Sequence, residues 1–222
     1  MARWSALVLA AGAGRRFGGG KLLAPFAGAP LIRRTVEAVC EGGFAEVVVV
    51  AGADLATITA ALDGLPCRII AASDWQEGMA ASLRAGIGAL APDTAGVFIF
   101  LGDMPLVPVA LCDELAALAQ DAGYAARPVV SGKPGHPAAF TRAAFADLAG
   151  LRGDAGGNRL LAGRASGVVY RATDDAGALI DIDAPGDLAA AEAAWKVRAT
   201  SVTSDSAISR GAFPKPGSPS GA

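Results

Sequence analysis

Short apolar runs recur through the first half of the chain, each followed by a break and then by apolar positions at helical spacing. Residues 6–11, 46–51, 68–71 and 96–101 read as strands. The run of valines from Val47 to Val50 is apolar on both faces, as in a central parallel strand. Between these runs, Pro30 is placed to open a helix whose stripe is Ile32, Val36 and Val39 and which Gly42-Gly43 ends. Residues 55–62 and 79–90 read as further helices, as do residues 107–122 with Leu111, Leu115 and Leu118 in line. Strand and helix alternate with short connections, which predicts an α/β fold with a doubly wound, mostly parallel sheet and right-handed crossovers.

The second half is less regular. Residues 127–130 and 138–141 are expected to pair as strands around the loop Ser131-Gly-Lys-Pro-Gly-His-Pro137. Residues 167–171 and 178–182 read as further strands. Short helical pieces fall at 142–148 and 158–161, and a last helix carries Leu188, Ala191 and Trp195. This half reads as an insertion that walls a pocket, within one domain over residues 1–199. Residues 200–222 are rich in Ser, Pro and Gly without hydrophobic period and are expected to be a disordered tail.

The densest chemical signal is the loop after the first strand, Leu9-Ala-Ala-Gly-Ala-Gly-Arg-Arg-Phe-Gly-Gly-Gly-Lys21. Five glycines lie between Gly12 and Gly20, with arginines among them and a lysine at the end. Glycines let backbone N–H groups approach phosphate oxygens, and the cations supply charge. The spacing fits neither common phosphate loop. A dinucleotide fingerprint needs glycine where Phe17 stands, and a P-loop needs glycine at Arg15 and a hydroxyl residue at Leu22.

Composition narrows the partners. The net charge is −2, so the basic character of this loop is local and no nucleic-acid partner is implied. No run approaches the ~18 apolar residues of a membrane span. The apolar stretch after Arg3 is short and runs straight into the glycine loop, unlike a signal peptide. Cys40, Cys67 and Cys112 are widely spaced and match no metal pattern, which fits buried reduced thiols and a cytoplasmic location.

Six further residues could carry chemistry. Asp103 follows a buried strand at the edge where open α/β sheets bind ligands. It reads either as a ligand to Mg2+ beside phosphate oxygens or as a cap on the next helix. Asp181 and Asp183 fall on one face of an extended segment, where one of them could complete a metal site; Asp183 would equally serve as a helix cap. His136, the only histidine, lies in a Gly/Pro-rich loop and reads as a substrate contact or a plain loop residue. Ser82 and Arg84, near a helix N-terminus, suit an anion or a base edge.

Taken together, these segments resemble the nucleotidyltransferases that share the MobA-like fold. The resemblance rests on the Leu9–Lys21 loop, Gly78-Met-Ala-Ala-Ser-Leu-Arg-Ala-Gly86, Gly102-Asp-Met-Pro105, Gly135-His-Pro137 and Asp181-Ile-Asp-Ala-Pro-Gly-Asp-Leu188, in the family's order over residues 5–195. The subgroup most similar is the molybdenum cofactor cytidylyltransferases. Guanylyl-transferring relatives usually carry Ala-Gly-Gly where this chain has Ala10-Ala11-Gly12, and the methyl of Ala11 favours CTP over a purine. Gly153-Asp-Ala-Gly-Gly-Asn-Arg-Leu-Leu161 is also similar to that subgroup, whereas Gly102-Asp-Met-Pro105 departs from its usual Ala-Asp-Gln-Pro.

The resemblance implies a three-layer α/β/α fold of the nucleotide-diphospho-sugar transferase type and Mg2+-dependent transfer of NMP from an NTP to a phosphorylated small-molecule acceptor. The backbone of Ala10, Ala11, Gly12 and Gly14 would hold base and ribose, and Ser82 would touch the nucleotide. Arg16 and Lys21 would hold phosphates, Asp103 and Asp183 would bind Mg2+, and His136 would line the acceptor pocket. Molybdopterin as acceptor would bring transient contact with a molybdoenzyme or its chaperone. Three other readings stay open: a same-fold transferase with another acceptor or GTP, a non-catalytic nucleotide-binding module, and an NAD-dependent oxidoreductase. The last is disfavoured by the glycine spacing and by Val50-Ala51-Gly52, where an acidic residue would be needed.

Overall fold

A computed structural model describes residues 3–164 and 166–208. Its strands are β1 Trp4–Ala10, β2 Pro25–Phe26, β3 Ala29–Pro30, β4 Val47–Ala51, β5 Arg68–Ala71, β6 Gly96–Leu101, β7 Ala125–Val130, β8 Lys133–Pro134, β9 Ala138–Thr141 and β10 Val168–Ala172. Its helices are α1 Leu31–Cys40, α2 Leu55–Ala61, α3 Met79–Ala89, α4 Cys112–Ala122, α5 Phe145–Gly150, α6 Gly157–Ala162 and α7 Asp187–Ile208. The main sheet runs β10-β7-β9-β6-β1-β4-β5, with β8 hydrogen-bonded to β7. Along that path only β9 is antiparallel to its neighbours.

Alternation along the central strands separates two cores. Ala6, Val8, Val49, Phe98 and Phe100 face α1, α2 and α4, while Leu7, Val48, Val50, Val97 and Ile99 face α3, α5 and α6. The fold is therefore α/β in three layers. A third cluster joins Phe26, Leu31 and Leu106 to Ile182 and Ala191, with Trp195 edge-on to Phe26 at 5.6 Å between ring centroids. This cluster carries α7 and the segment before it back to the first loop.

Some boundaries differ from the sequence reading. α4 begins at Cys112, not near Val107, because Pro108 lacks the N–H a helix interior needs; a 3-10 turn at Val109–Leu111 bridges the gap. Residues 178–182 form no strand. β6 is already flanked by β1 and β9, so this segment bonds elsewhere: His136 N–H donates to the Ala178 carbonyl and Ile182 N–H to the Asp103 carbonyl. The expected pairing of residues 127–130 with 138–141 is corrected: β7 starts earlier, at Ala125, its partners in β9 are Ala125 with Phe140 and Ala126 with Ala139, and Val129 and Val130 pair with β8 instead. Cys112 is buried, whereas Cys40 and Cys67 are only half-buried; all three are free thiols. The expected boundary at residue 199 falls inside α7. Residues 200–208 contain no Pro or Gly to stop the helix, and residues 209–222 of the expected tail lie outside the described residues.

Candidate active site

The parallel strands β1, β4 and β6 end on one edge of the sheet, which brings the loops after Ala10, Ala51 and Leu101 together. Because β9 is antiparallel to β6, its beginning lies at the same edge, with Ile99 opposite Ala138 and His136 just beyond. A cleft of about 570 Å³ opens there, lined by Ala11, Gly12, Gly14, Arg16, Lys21, Ser82, Asp103 and Asp183. Ala10 is not among its lining residues; its side chain is buried in the core.

The glycine loop folds back on itself. Phe17 and Gly19 donate backbone N–H bonds to the Gly14 carbonyl, at 2.9 and 3.1 Å. Gly14 has φ +60°, and a Cβ there would sit 2.9 Å from the Lys21 Cβ, so the lysine stem packs on the bare glycine backbone. Leu22 is buried behind it, which fixes the direction in which Lys21 leaves the turn at Lys21–Leu23. Its Nζ then donates to Asp103 Oδ2 at 2.6 Å and to Asp183 Oδ1 at 3.1 Å.

Asp103 and Asp183 are locked together through the backbone. Ile182 is fully buried in the third cluster, and its N–H donates to the Asp103 carbonyl at 3.1 Å. The turn that follows is capped by Asp187, whose Oδ2 accepts from the N–H groups of Asp183 and Ala184. The Asp183 carboxylate is thereby left to Lys21 and to Arg16, whose Nη1 lies at 3.1 Å.

Electrostatics follow from this packing. The Lys21 hydrogen bond holds the Asp183 carboxyl below its usual range, against partial burial. Burial alone would lower the Lys21 ammonium, but its two carboxylate partners outweigh that and raise it. Asp181 is pushed up by burial and by neighbouring Asp183 and Asp103. One atom stands out: Asp103 Oδ1 is buried with no hydrogen-bond partner. A buried carboxylate oxygen without a donor is costly in isolation and suits a hard cation. Asp103 and Asp183 are the residues able to hold one. Among the described residues no group of three or more His, Cys, Asp or Glu is placed to enclose a metal, so further ligands would have to be substrate oxygens or water.

His136 lines a second cleft of about 390 Å³ that shares Leu9, Met79, Leu101 and Asp154 with the first. Its Nδ1 lies 3.4 Å from the Ile99 carbonyl, which can only accept, so Nδ1 carries the hydrogen and Nε2 is the free acceptor. Burial, with Arg127 nearby, holds the imidazole down to about 4. Arg127 is itself buried and ties both walls of this cleft: it donates to the Gly135 carbonyl (2.6 and 3.1 Å) and to Asn158 Oδ1 (2.6 Å). Ser82 is buried at the cleft floor, whereas Arg84 turns aside to Glu77 at 3.0 Å.

Sequence reasoning missed Trp75, Gln76 and Met79 as lining residues. An aromatic residue in a polar strand-to-helix connection, on the edge that binds ligands, was the available signal for Trp75.

The family model of the MobA-like NTP transferase domain matches residues 6–169, which include this loop, Ser82, Asp103 and His136. The chain belongs to that family. The fold also recurs among solved structures: Rv0371c from Mycobacterium tuberculosis H37Rv superposes with a TM-score of 0.75 at 26% identity, covering 86% of this chain and 99% of that one. A second structure of Rv0371c is a complex with manganese. A nucleotidyl transferase from Methanothermobacter thermautotroptrophicus gives a TM-score of 0.71 at 25% identity, over 88% of this chain and 99% of that one. In sequence, the nicotine blue oxidoreductase of Paenarthrobacter nicotinovorans is 37% identical over 49% of this chain; the chain spans about half the length (53%) of that curated relative. No helix among the described residues is long and apolar enough to cross a membrane.

Proposed function

We propose that this chain transfers a nucleoside monophosphate from an NTP, CTP by preference, to a phosphorylated small molecule of the molybdopterin type, releasing pyrophosphate. The observation that carries the reading is the Lys21–Asp103–Asp183 constellation, with its orphaned Asp103 Oδ1, beside a glycine loop rich in backbone N–H groups. Hydride transfer, which the name of one relative brings to mind, is disfavoured by the glycine spacing of the first loop and by Val50-Ala51-Gly52, where a dinucleotide site would need an acidic residue.

An acceptor phosphate oxygen attacks the α-phosphorus in line. The new P–O bond forms as the bond to the β-phosphate oxygen breaks, and pyrophosphate carries the negative charge away. No protein nucleophile is required, so positioning and charge neutralisation carry the rate. Arg16 and Lys21 neutralise charge on the departing pyrophosphate. Asp103 and Asp183 would hold Mg2+, which when bound supplies Lewis-acid neutralisation of phosphate oxygens. The second cleft, with His136 and the Asn158 amide on its wall, takes the acceptor, and Ala11 limits the base.

Pyrophosphate release with Mg2+, measured for CTP, GTP, ATP and UTP against molybdopterin-type and sugar-phosphate acceptors, tests the reading. CTP with a molybdopterin acceptor should give the highest rate, and Asp103→Ala should lower kcat on the order of 10²-fold or more. Absence of release with every pair, or substrate-dependent NAD(P)H oxidation instead, overturns it.

A further inference from the structure

The lining of the cleft combines two chemistries. Arg16, Lys21, Asp103 and Asp183 form a cluster of paired charges. Ala11, Gly12, Ser82, Gln76 and a single aromatic residue, Trp75, also line it. With the phosphates of a nucleotide at the charge cluster, its base is left to the uncharged part of the lining, where Trp75 is the one π-surface.

Trp75 is held there by an unusually close approach of three segments. The ends of β1 and β4 are adjacent strands, and Gly52 follows β4 directly. A Cβ on Gly52 would lie 2.7 Å from the Ala11 carbonyl oxygen, 2.7 Å from Trp75 Cγ and 2.8 Å from Trp75 Cβ. The indole is therefore seated on the glycine backbone, beside the strand end that carries Ala11. Its own backbone is pinned on both sides: Trp75 N–H donates to the Ala72 carbonyl, and Gly78 N–H donates to the Trp75 carbonyl. The ring packs on the apolar cluster under α3 yet stays partly exposed and lines the cleft. An aromatic face fixed in this way at the rim of a nucleotide cleft is a stacking surface, because every nucleobase has a π-face to set against it.

We propose that Trp75 is the wall on which the nucleobase stacks, and that its seat on Gly52, together with Ala11, sets the size of base the cleft admits. This rests on the nucleotide-binding reading above and deepens it by naming a specificity-determining residue. The family resemblance implied that role for Ala11 without a partner. In space, the Ala11 carbonyl and the indole share one glycine, so a substitution at position 52 should be felt on both.

The test is NTP binding by calorimetry and tryptophan fluorescence, with Mg2+ and without acceptor. Trp4 is buried against Phe98, Trp195 is partly buried and edge-on to Phe26, and neither lines the cleft, so a nucleotide-dependent signal reports Trp75. CTP should quench the wild-type fluorescence, and Trp75→Phe should bind CTP within about threefold while losing the quench. Trp75→Leu should weaken CTP about tenfold or more, as expected for loss of a stacking partner. It should also narrow the preference for CTP over GTP. Gly52→Ala, whose Cβ would crowd the Ala11 carbonyl and the indole alike, should widen that preference. Thermal melts of each variant establish that it is folded. If the wild type binds NTPs and Trp75→Leu keeps both affinity and base preference, the proposal falls while the functional reading stands. If the wild type binds no NTP, both fall.

Discussion

Lys21→Met isolates the charge at the centre of the cleft. The substitution keeps the unbranched stem that packs on Gly14 and removes only the ammonium, which is 2.6 Å from one carboxylate oxygen and 3.1 Å from another. An exposed ion pair is worth at most about 1 kcal/mol, and breaking a buried one costs about 3–5 kcal/mol. Here the lysine side chain is 13% exposed, Asp103 21% and Asp183 46%, so the loss of folding stability should fall between, at roughly 1–3 kcal/mol. Turnover should fall by on the order of 10²-fold or more, the usual result of removing a key electrostatic donor. Divalent-cation affinity should move the opposite way. In the ligand-free protein Lys21 occupies the same carboxylates that would hold the ion, so an incoming Mn2+ competes with it. Without the ammonium, Mn2+ should bind about tenfold tighter in the absence of nucleotide, a change of ~1.4 kcal/mol. That is a modest fraction of the about 4 kcal/mol for unit charges 4 Å apart at an effective dielectric of 20. Mn2+ titration followed by electron paramagnetic resonance, urea denaturation and pyrophosphate release read the three effects separately. Asp103→Asn should slow turnover and weaken Mn2+ binding together. Weaker Mn2+ binding in Lys21→Met, or near-normal turnover, would refute the assignment of these residues to one site.

Three other perturbations have defined outcomes. His136 is held at about 4 in the fold against 6.5 when exposed, so below pH 6.5 the unfolded chain takes up a proton that the folded chain does not. Stability should drop by about 1 kcal/mol per pH unit between pH 6 and 5; chemical denaturation across that range measures it, His136→Asn should flatten it, and NMR of the sole histidine should show no titration above pH 5. Gly78 has φ +110°, and a Cβ there would meet Asp154 Oδ1 and the Gly153 carbonyl carbon at 2.5 Å each, so Gly78→Ala should cost about 1–3 kcal/mol in urea unfolding and raise KM for both substrates. An unchanged unfolding midpoint would contradict the contact. Ala11→Gly should raise the ratio of kcat/KM for GTP to that for CTP several-fold, and no change in that ratio would remove Ala11 from base selection.

How much of this was legible in the sequence depends on where the energy of each feature lies. β1, β4 and β6 are buried on both faces, so their apolar runs announced them, and α1 showed its stripe because one face meets the sheet. The position of β9 between β6 and β7 could not be read, because short Ala-rich segments such as β7 and β9 carry no register signal of their own. Yet that antiparallel insertion is what turns His136 toward the same edge as the glycine loop. The Asp103–Asp183 pairing is another case. Period-2 alternation placed Asp181 and Asp183 on one face and left the choice between them open, but residues 178–182 form no strand. What aims the carboxylate is Ile182, buried among Phe26, Leu31 and Leu106, with its N–H on the Asp103 carbonyl. The contact between Lys21 and Asp183 spans 162 positions of sequence. A local pattern can nominate both ends of such a contact, but only the burial of the residue between them and the core brings the ends together.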